Sequence, residues 1–135
     1  MAIFYSDLVN GAPPISLIGP RALTASVTGA TQDLIQRDGP CAAFLIVGDA
    51  SGTGSPVLDV TLQESTDGTT WTQCYSEAGV TGGTFSQVAG TTGGVSQGIF
   101  VQRTARYMRA VNVVGGTTSP SFTATVLLFE VKKQL

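Results

Sequence analysis

The chain has 135 residues, a formal net charge of −2 and no histidine, so it holds one domain and lacks the commonest general base and metal ligand. Charged residues are 12% of the sequence, about half the usual share, while 17 glycines and many Thr and Ser punctuate it; this excludes a coiled coil and disfavours a helical bundle. No stretch of 18 apolar residues is present to form a transmembrane helix, and no Lys/Arg block offers a phosphate-tracking surface, so neither membrane nor nucleic acid is expected as a partner.

In chain order, residues 1–20 differ from the rest of the sequence. Phe4, Tyr5, Leu8 and Val9 form an apolar cluster, and Pro13, Pro14 and Pro20 bar a helix and disfavour a central strand. The segment reads as an extended arm ahead of a β-domain at 21–135. Two readings of it stand: the four side chains cap their own core, or they pack outside it, on a neighbouring subunit or on a larger partner assembly. It has no basic n-region and its apolar stretch is broken by Asp7, so it is not read as a signal peptide.

Short β-runs between turn signals begin at Arg21. Leu23, Ala25 and Val27 alternate with polar residues; Leu34 and Ile35 make a weaker run closed by 38–40. Residues 41–48 (CAAFLIVG) are apolar at both parities and read as a central strand buried on each side, followed by a loop at 49–56. The stretch 57–64 alternates Leu58, Val60 and Leu62 with Asp59, Thr61 and Gln63, and the Asp67-Gly68 turn leads into 70–76. Residues 79–98 read as a loop or frayed edge hairpin, long for an idle one, with Phe85, Val88 and Val95 as its main apolar residues. A short run at 99–101 precedes the last two strands, 106–114 and 121–131. The expected fold is therefore an all-β antiparallel β-sandwich or jelly roll of about eight strands.

Few residues offer chemistry. The only lysines, Lys132 and Lys133, sit at the C-terminal end; the serine in 93–98 has no following helix; Asp59 and Glu64 fall on opposite faces of one strand. Two cysteines without histidine do not close a zinc site, and Cys41 and Cys74 are expected as buried thiols. Residues 52–54 read as a flexible turn rather than a phosphate cradle. No enzyme activity, cofactor or metal is expected. Trp71 is expected as a wedge packed across a sheet, with sugar stacking as the alternative, and Tyr107 as core-facing beside Val111 and Val113. The last strand carries Leu127, Phe129 and Val131 at one parity and Val126 and Leu128 at the other, more apolar surface than one core needs. Phe4, Tyr5, Leu8, Val9, Leu127 and Phe129 are accordingly the expected interface residues.

Two segments, LDVTLQESTDGTTWTQ (58–73) and RTARYMRAVNVVGGTTSPSFTATVLLFEVKK (103–133), resemble the small β-sandwich proteins that decorate and cement the capsids of tailed bacteriophages. That resemblance implies a structural virion protein on the capsid surface, made in the host cytoplasm, with the major capsid protein as partner and a homotrimer as its state. Another phage structural subunit, of the tail or the head–tail junction, is the neighbouring reading. STDGTTW and ARYMRA are also similar to strand motifs of discoidin-like jelly rolls, which bind sugars or lipid headgroups. The chain departs from those domains in offering only Phe85 in its loops and no export signal.

Overall fold

The computed structural model describes residues 14–35, 41–76, 82–90, 93–116 and 118–130. Over them the chain is an all-β antiparallel sandwich, two sheets closed on one apolar core. The strands are β1 (Ile15–Leu23), β2 (Val27–Thr28), β3 (Gln32–Asp33), β4 (Cys41–Thr53), β5 (Val57–Ser65), β6 (Thr72–Gln73), β7 (Tyr75–Ser76), β8 (Val88–Ala89), β9 (Val95–Gln102), β10 (Tyr107–Gly115) and β11 (Thr118–Glu130). Six have eight residues or more and five have only two, so the expected eight falls between the six long strands and the full eleven. One sheet runs β1-β11-β4-β9-β7. The other runs β2-β10-β5-β6, with β3 also on β10 and β8 also on β5.

The period-2 pattern of β5 sets the second sheet. Leu58, Val60 and Leu62 are fully buried while Asp59, Thr61 and Gln63 face out. Opposed residues of an antiparallel pair share a face, so the register Met108↔Glu64, Ala110↔Leu62, Asn112↔Val60 turns Met108, Ala110 and Asn112 inward. This corrects the expected core position of Tyr107, Val111 and Val113, which lie on the outer face. Both parities of β10 are apolar enough to fill a core, and only the partner strand decides between them. Asn112 is carried inside by this register; its Nδ2 donates to Val27 O at 3.3 Å, while its buried Oδ1 has no partner among the described residues.

The expected arm boundary at residue 20 moves as well. Residues 15–20 belong to β1, an edge strand on β11 that buries Leu17 and Ile18. Pro20 fits because the register slips between Ile18 and Arg21, where a proline forfeits no ladder bond. Gly19 turns the chain there at φ +62°, and a Cβ on it would stand 2.4 Å from Ala124 O. Residues 1–13, and with them Phe4, Tyr5, Leu8 and Val9, lie outside the described residues, as does Val131.

Three further expectations change. Residues 49–53, read as loop, continue β4 because β11 pairs alongside them from Thr118↔Thr53 to Phe122↔Ala50. Within 79–98, β8 and the start of β9 are strand, and Phe85 and Val88 are core. The run 70–76 divides into β6 on one sheet and β7 on the other, with Cys74 fully buried where the chain crosses between them. Both cysteines are buried and neither is in a disulfide. Burial and the nearby Glu64 carboxylate push the Cys74 thiol up to about 12.

Candidate functional site

The five-stranded sheet has an outer face that no described part of the chain covers. The alternation of β4 places Cys41, Ala43, Leu45 and Val47 in the core and leaves Phe44 37% and Ile46 42% exposed. Residues 41–48 were expected to be buried on both faces; they are buried on one. A two-layer sandwich has no third layer to cover the far side of its sheets. The same face collects Leu127 and Phe129 from β11, Phe100 from β9 at 56% exposure and Tyr75 from β7.

The pairing register sets these side chains in rows. Ser16, Leu127, Phe44 and Gly98 stand side by side, with Phe129, Ala42 and Phe100 in the next row and Thr125, Ile46 and Ser96 on the other side. Phe44 and Phe129 meet edge to face, ring centroids 5.4 Å apart at 88°. The ring of Phe44 leans over Gly98, where a Cβ would come within 2.9 Å of Cε1, so the glycine lets an aromatic lie flat across its neighbouring strand. No acidic or basic side chain stands in these three rows. Three strands at ~4.8 Å and about five residues at ~3.4 Å give an apolar footprint on the order of 250 Å².

The outer face of the six-stranded sheet has a different chemistry. Arg109 lies 4.1 Å over the Trp71 ring and donates from Nε to Gln63 Oε1 at 2.8 Å. Trp71 therefore packs on the outside of its sheet and is not the expected wedge; the guanidinium occupies a ring face on which a sugar would stack. Gln73 donates to Thr84 Oγ1 at 2.9 Å, and Gln87 donates to both oxygens of Asp59 at 3.1 and 2.9 Å. Arg106 grips Asp33 with Nε and Nη2 at 2.9 and 2.8 Å, and this pairing lowers the Asp33 carboxyl from its ordinary value.

The remaining carboxylates of note are structural. Asp67 Oδ1 accepts from Thr69 N and Thr70 N at 2.8 Å each and from Ser65 Oγ at 2.9 Å, which holds its carboxyl well below the usual range and closes the 65–70 turn. Glu64 points into the core, 3% exposed, opposite in face to Asp59. Its Oε2 accepts from Thr104 N at 2.9 Å and Ala105 N at 3.2 Å, and its Oε1 accepts from the Thr104 hydroxyl. It thereby anchors the corner between β9 and β10, where the chain changes sheets.

Of the expected interface residues, Leu127 and Phe129 do come together on one surface. Phe44, Ile46, Phe100 and Tyr75 complete it and were not singled out from sequence. The available signal was the double apolar parity of 41–48 and 121–131 in a sequence that demands no helix to lay over a sheet. Compared with known proteins, the chain matches no family model, no curated protein and no solved structure.

Proposed function

We propose that the protein is a structural subunit that works by burying the outer face of its five-stranded sheet in an assembly, and that the assembly decorates and stabilises a phage capsid. The observation that carries the first half is the uncharged surface of Phe44, Ile46, Phe100, Leu127 and Phe129, held on rigid β-sheet. An apolar patch of a few hundred Å² is commonly an interaction site. On the opposite face of the molecule Arg106 pairs with Asp33, Asp59 accepts from Gln87, and the single tryptophan is capped by Arg109. The second half is supported by the sequence resemblance to capsid decoration proteins.

A cement protein acts by mass action. It binds the closed shell and not the free subunits, so each bound copy shifts the equilibrium toward the shell by its differential binding energy. A rigid sandwich suits this task, because little conformational entropy is lost on docking. The test is co-sedimentation of the purified protein with empty shells assembled from the major capsid protein. Saturable pelleting, with shells that resist heat better when decorated, supports the reading. Protein that stays in the supernatant, or that instead binds a glycan with micromolar affinity, overturns it.

A further inference from the structure

We propose that β9 is an open strand edge that pairs with β9 of a second copy, joining two five-stranded sheets into one across a two-fold axis. The inference rests on the backbone of β9 and is independent of the shell. Backbone polar groups alternate in direction along an antiparallel strand, and one bond fixes the phase here. Gly94 N donates to Gly48 O at 2.8 Å, one step beyond the Val47↔Val95 pair. Ser96, Gly98 and Phe100 therefore turn their N–H and C=O groups to β4, and Val95, Gln97, Ile99 and Val101 turn theirs the other way. There β7 meets β9 at Val101 and Gln102. Among the described residues no strand stands beside Val95, Gln97 or Ile99 on that side. Exposure follows the same division: Val101 is fully buried, while Val95, Gln97 and Ile99, at the same parity, are only partly so.

The other described edges are guarded, and this one is not. β1 carries two register shifts, a glycine at φ +62° and Pro20, while β2, β3, β6, β7 and β8 are two residues long. Bulges, prolines and brevity keep a strand edge from recruiting another chain. β9 is eight residues long and contains no charge and no proline. It holds its register on β4 from Val95 to Val101 without a shift. An edge of that kind is a template for strand addition.

The occupant that fits is β9 itself. Set antiparallel about Gln97, two copies oppose Gln97 to the partner's Gln97 and Val95 to the partner's Ile99. That register gives three pairs that exchange backbone bonds, about six hydrogen bonds in all. No like charges meet, since β9 has none. Val95 and Ile99 are β-branched and partly exposed against the core, and each covers the other. Gln97 already brackets Ser86, accepting from its N at 2.8 Å and donating to its O at 3.0 Å. Its amide retains one N–H and one lone pair for the partner's Gln97. On the outer face Gly98 falls opposite the partner's Ser96. The row of Leu127, Phe44 and Gly98 thus runs on into the partner's Ser96, Ile46 and Thr125. The two apolar faces become one uncharged surface on the order of 500 Å², twice that of a single copy. That joined surface is what the reading above buries. An edge that pairs with itself closes at two copies, not at the three that the resemblance implies.

The experiment uses the full-length chain and light scattering after size exclusion at high micromolar concentration. Wild-type protein is expected at twice 13.9 kDa. Gln97→Lys and Gln97→Glu each set like charges against each other across the two-fold axis. Each is expected as a monomer, its association weakened about 10- to 100-fold. Mixed, the two variants are expected to recover the two-copy mass, because the opposed charges then attract. Both lose the same bracket to Ser86, so unchanged far-UV circular dichroism and rescue on mixing separate a lost contact from a lost fold. Amide hydrogens of Val95, Gln97 and Ile99 are expected to exchange several-fold more slowly in the pair than after dilution. A monomeric or trimeric wild type, single variants that keep the wild-type mass, or monomeric variants that fail to pair when mixed would each overturn the proposal. A monomeric wild type that pellets with shells refutes the pairing alone; protection of the three amides only on shells then assigns the edge to a capsid strand. A paired wild type that ignores shells refutes the decoration reading alone.

Discussion

Replacing Glu64 separates what its carboxylate does from the space it fills. In Glu64→Gln the amide oxygen can take the place of Oε2 and accept from Thr104 N and Ala105 N, while the amide nitrogen donates to the Thr104 hydroxyl. All three bonds survive and only their charge assistance is lost, a cost of about 1–2 kcal/mol. Glu64→Met keeps the volume but leaves the buried Ala105 N–H without acceptor, at about 1–3 kcal/mol, and the part-buried Thr104 N–H, at less because water reaches it, so the loss is roughly 2–4 kcal/mol. With an unfolding entropy of about 2.1 cal/mol/K per residue over a chain of this length, a 4 kcal/mol loss lowers Tm by about 14 °C and a 1 kcal/mol loss by about 4 °C. Equilibrium urea unfolding with an unchanged m-value gives the two numbers directly. Equal losses for Gln and Met would refute the account, because they would mean that the 103–105 corner does not depend on an acceptor at position 64.

Other outcomes bear on the core and the second face. With its thiol pushed up to about 12, Cys74 should resist labelling in the native protein at pH 8; its folded-state value exceeds the unfolded one, so the stabilisation is complete below about pH 9 and falls by up to ~1.4 kcal/mol per pH unit as the pH rises towards 12. A Cys74→Ala variant removes that slope, and comparing the two pH profiles isolates it from other titrations. Arg109→Ala should cost about 0.5–1 kcal/mol and red-shift the emission of Trp71, the single tryptophan, as its covered ring face opens to water; unchanged emission would count against the stacking. Phe122→Ala, at a fully buried ring, should cost about 3–5 kcal/mol by thermal or urea unfolding.

The architecture was legible where one parity of a strand is apolar and the other polar. Leu58, Val60 and Leu62 against Asp59, Thr61 and Gln63 leave a single way to face the core. In β10 both parities are apolar, and its orientation follows only from the register with β5, a long-range fact. Pro20 suggested a break in the chain, yet an edge strand with a slipped register takes a proline without loss. The candidate face was half legible. The surplus at Leu127 and Phe129 pointed to a second buried surface, and 41–48 carried the same surplus but was credited to the core. In a sandwich each sheet has one inner face, so apolar residues at both parities of adjacent strands β4 and β11 must leave one set outside. Trp71 was expected inside because nothing local indicates that Arg109, distant in sequence, stands beside it on the outer face and covers its ring.

The central claim is that the outer face of the five-stranded sheet is covered when the protein is at work. Hydroxyl-radical footprinting of the assembled protein, read residue by residue by mass spectrometry, tests it most directly, with Trp71 and Tyr107 on the opposite sheet as internal references. Phe44, Phe100 and Phe129 should be protected several-fold relative to the protein kept monomeric by dilution, while the two references keep their reactivity. If Phe44 and Phe100 are oxidised as fast in the assembly as in the monomer, the face stays open to solvent and the claim is contradicted.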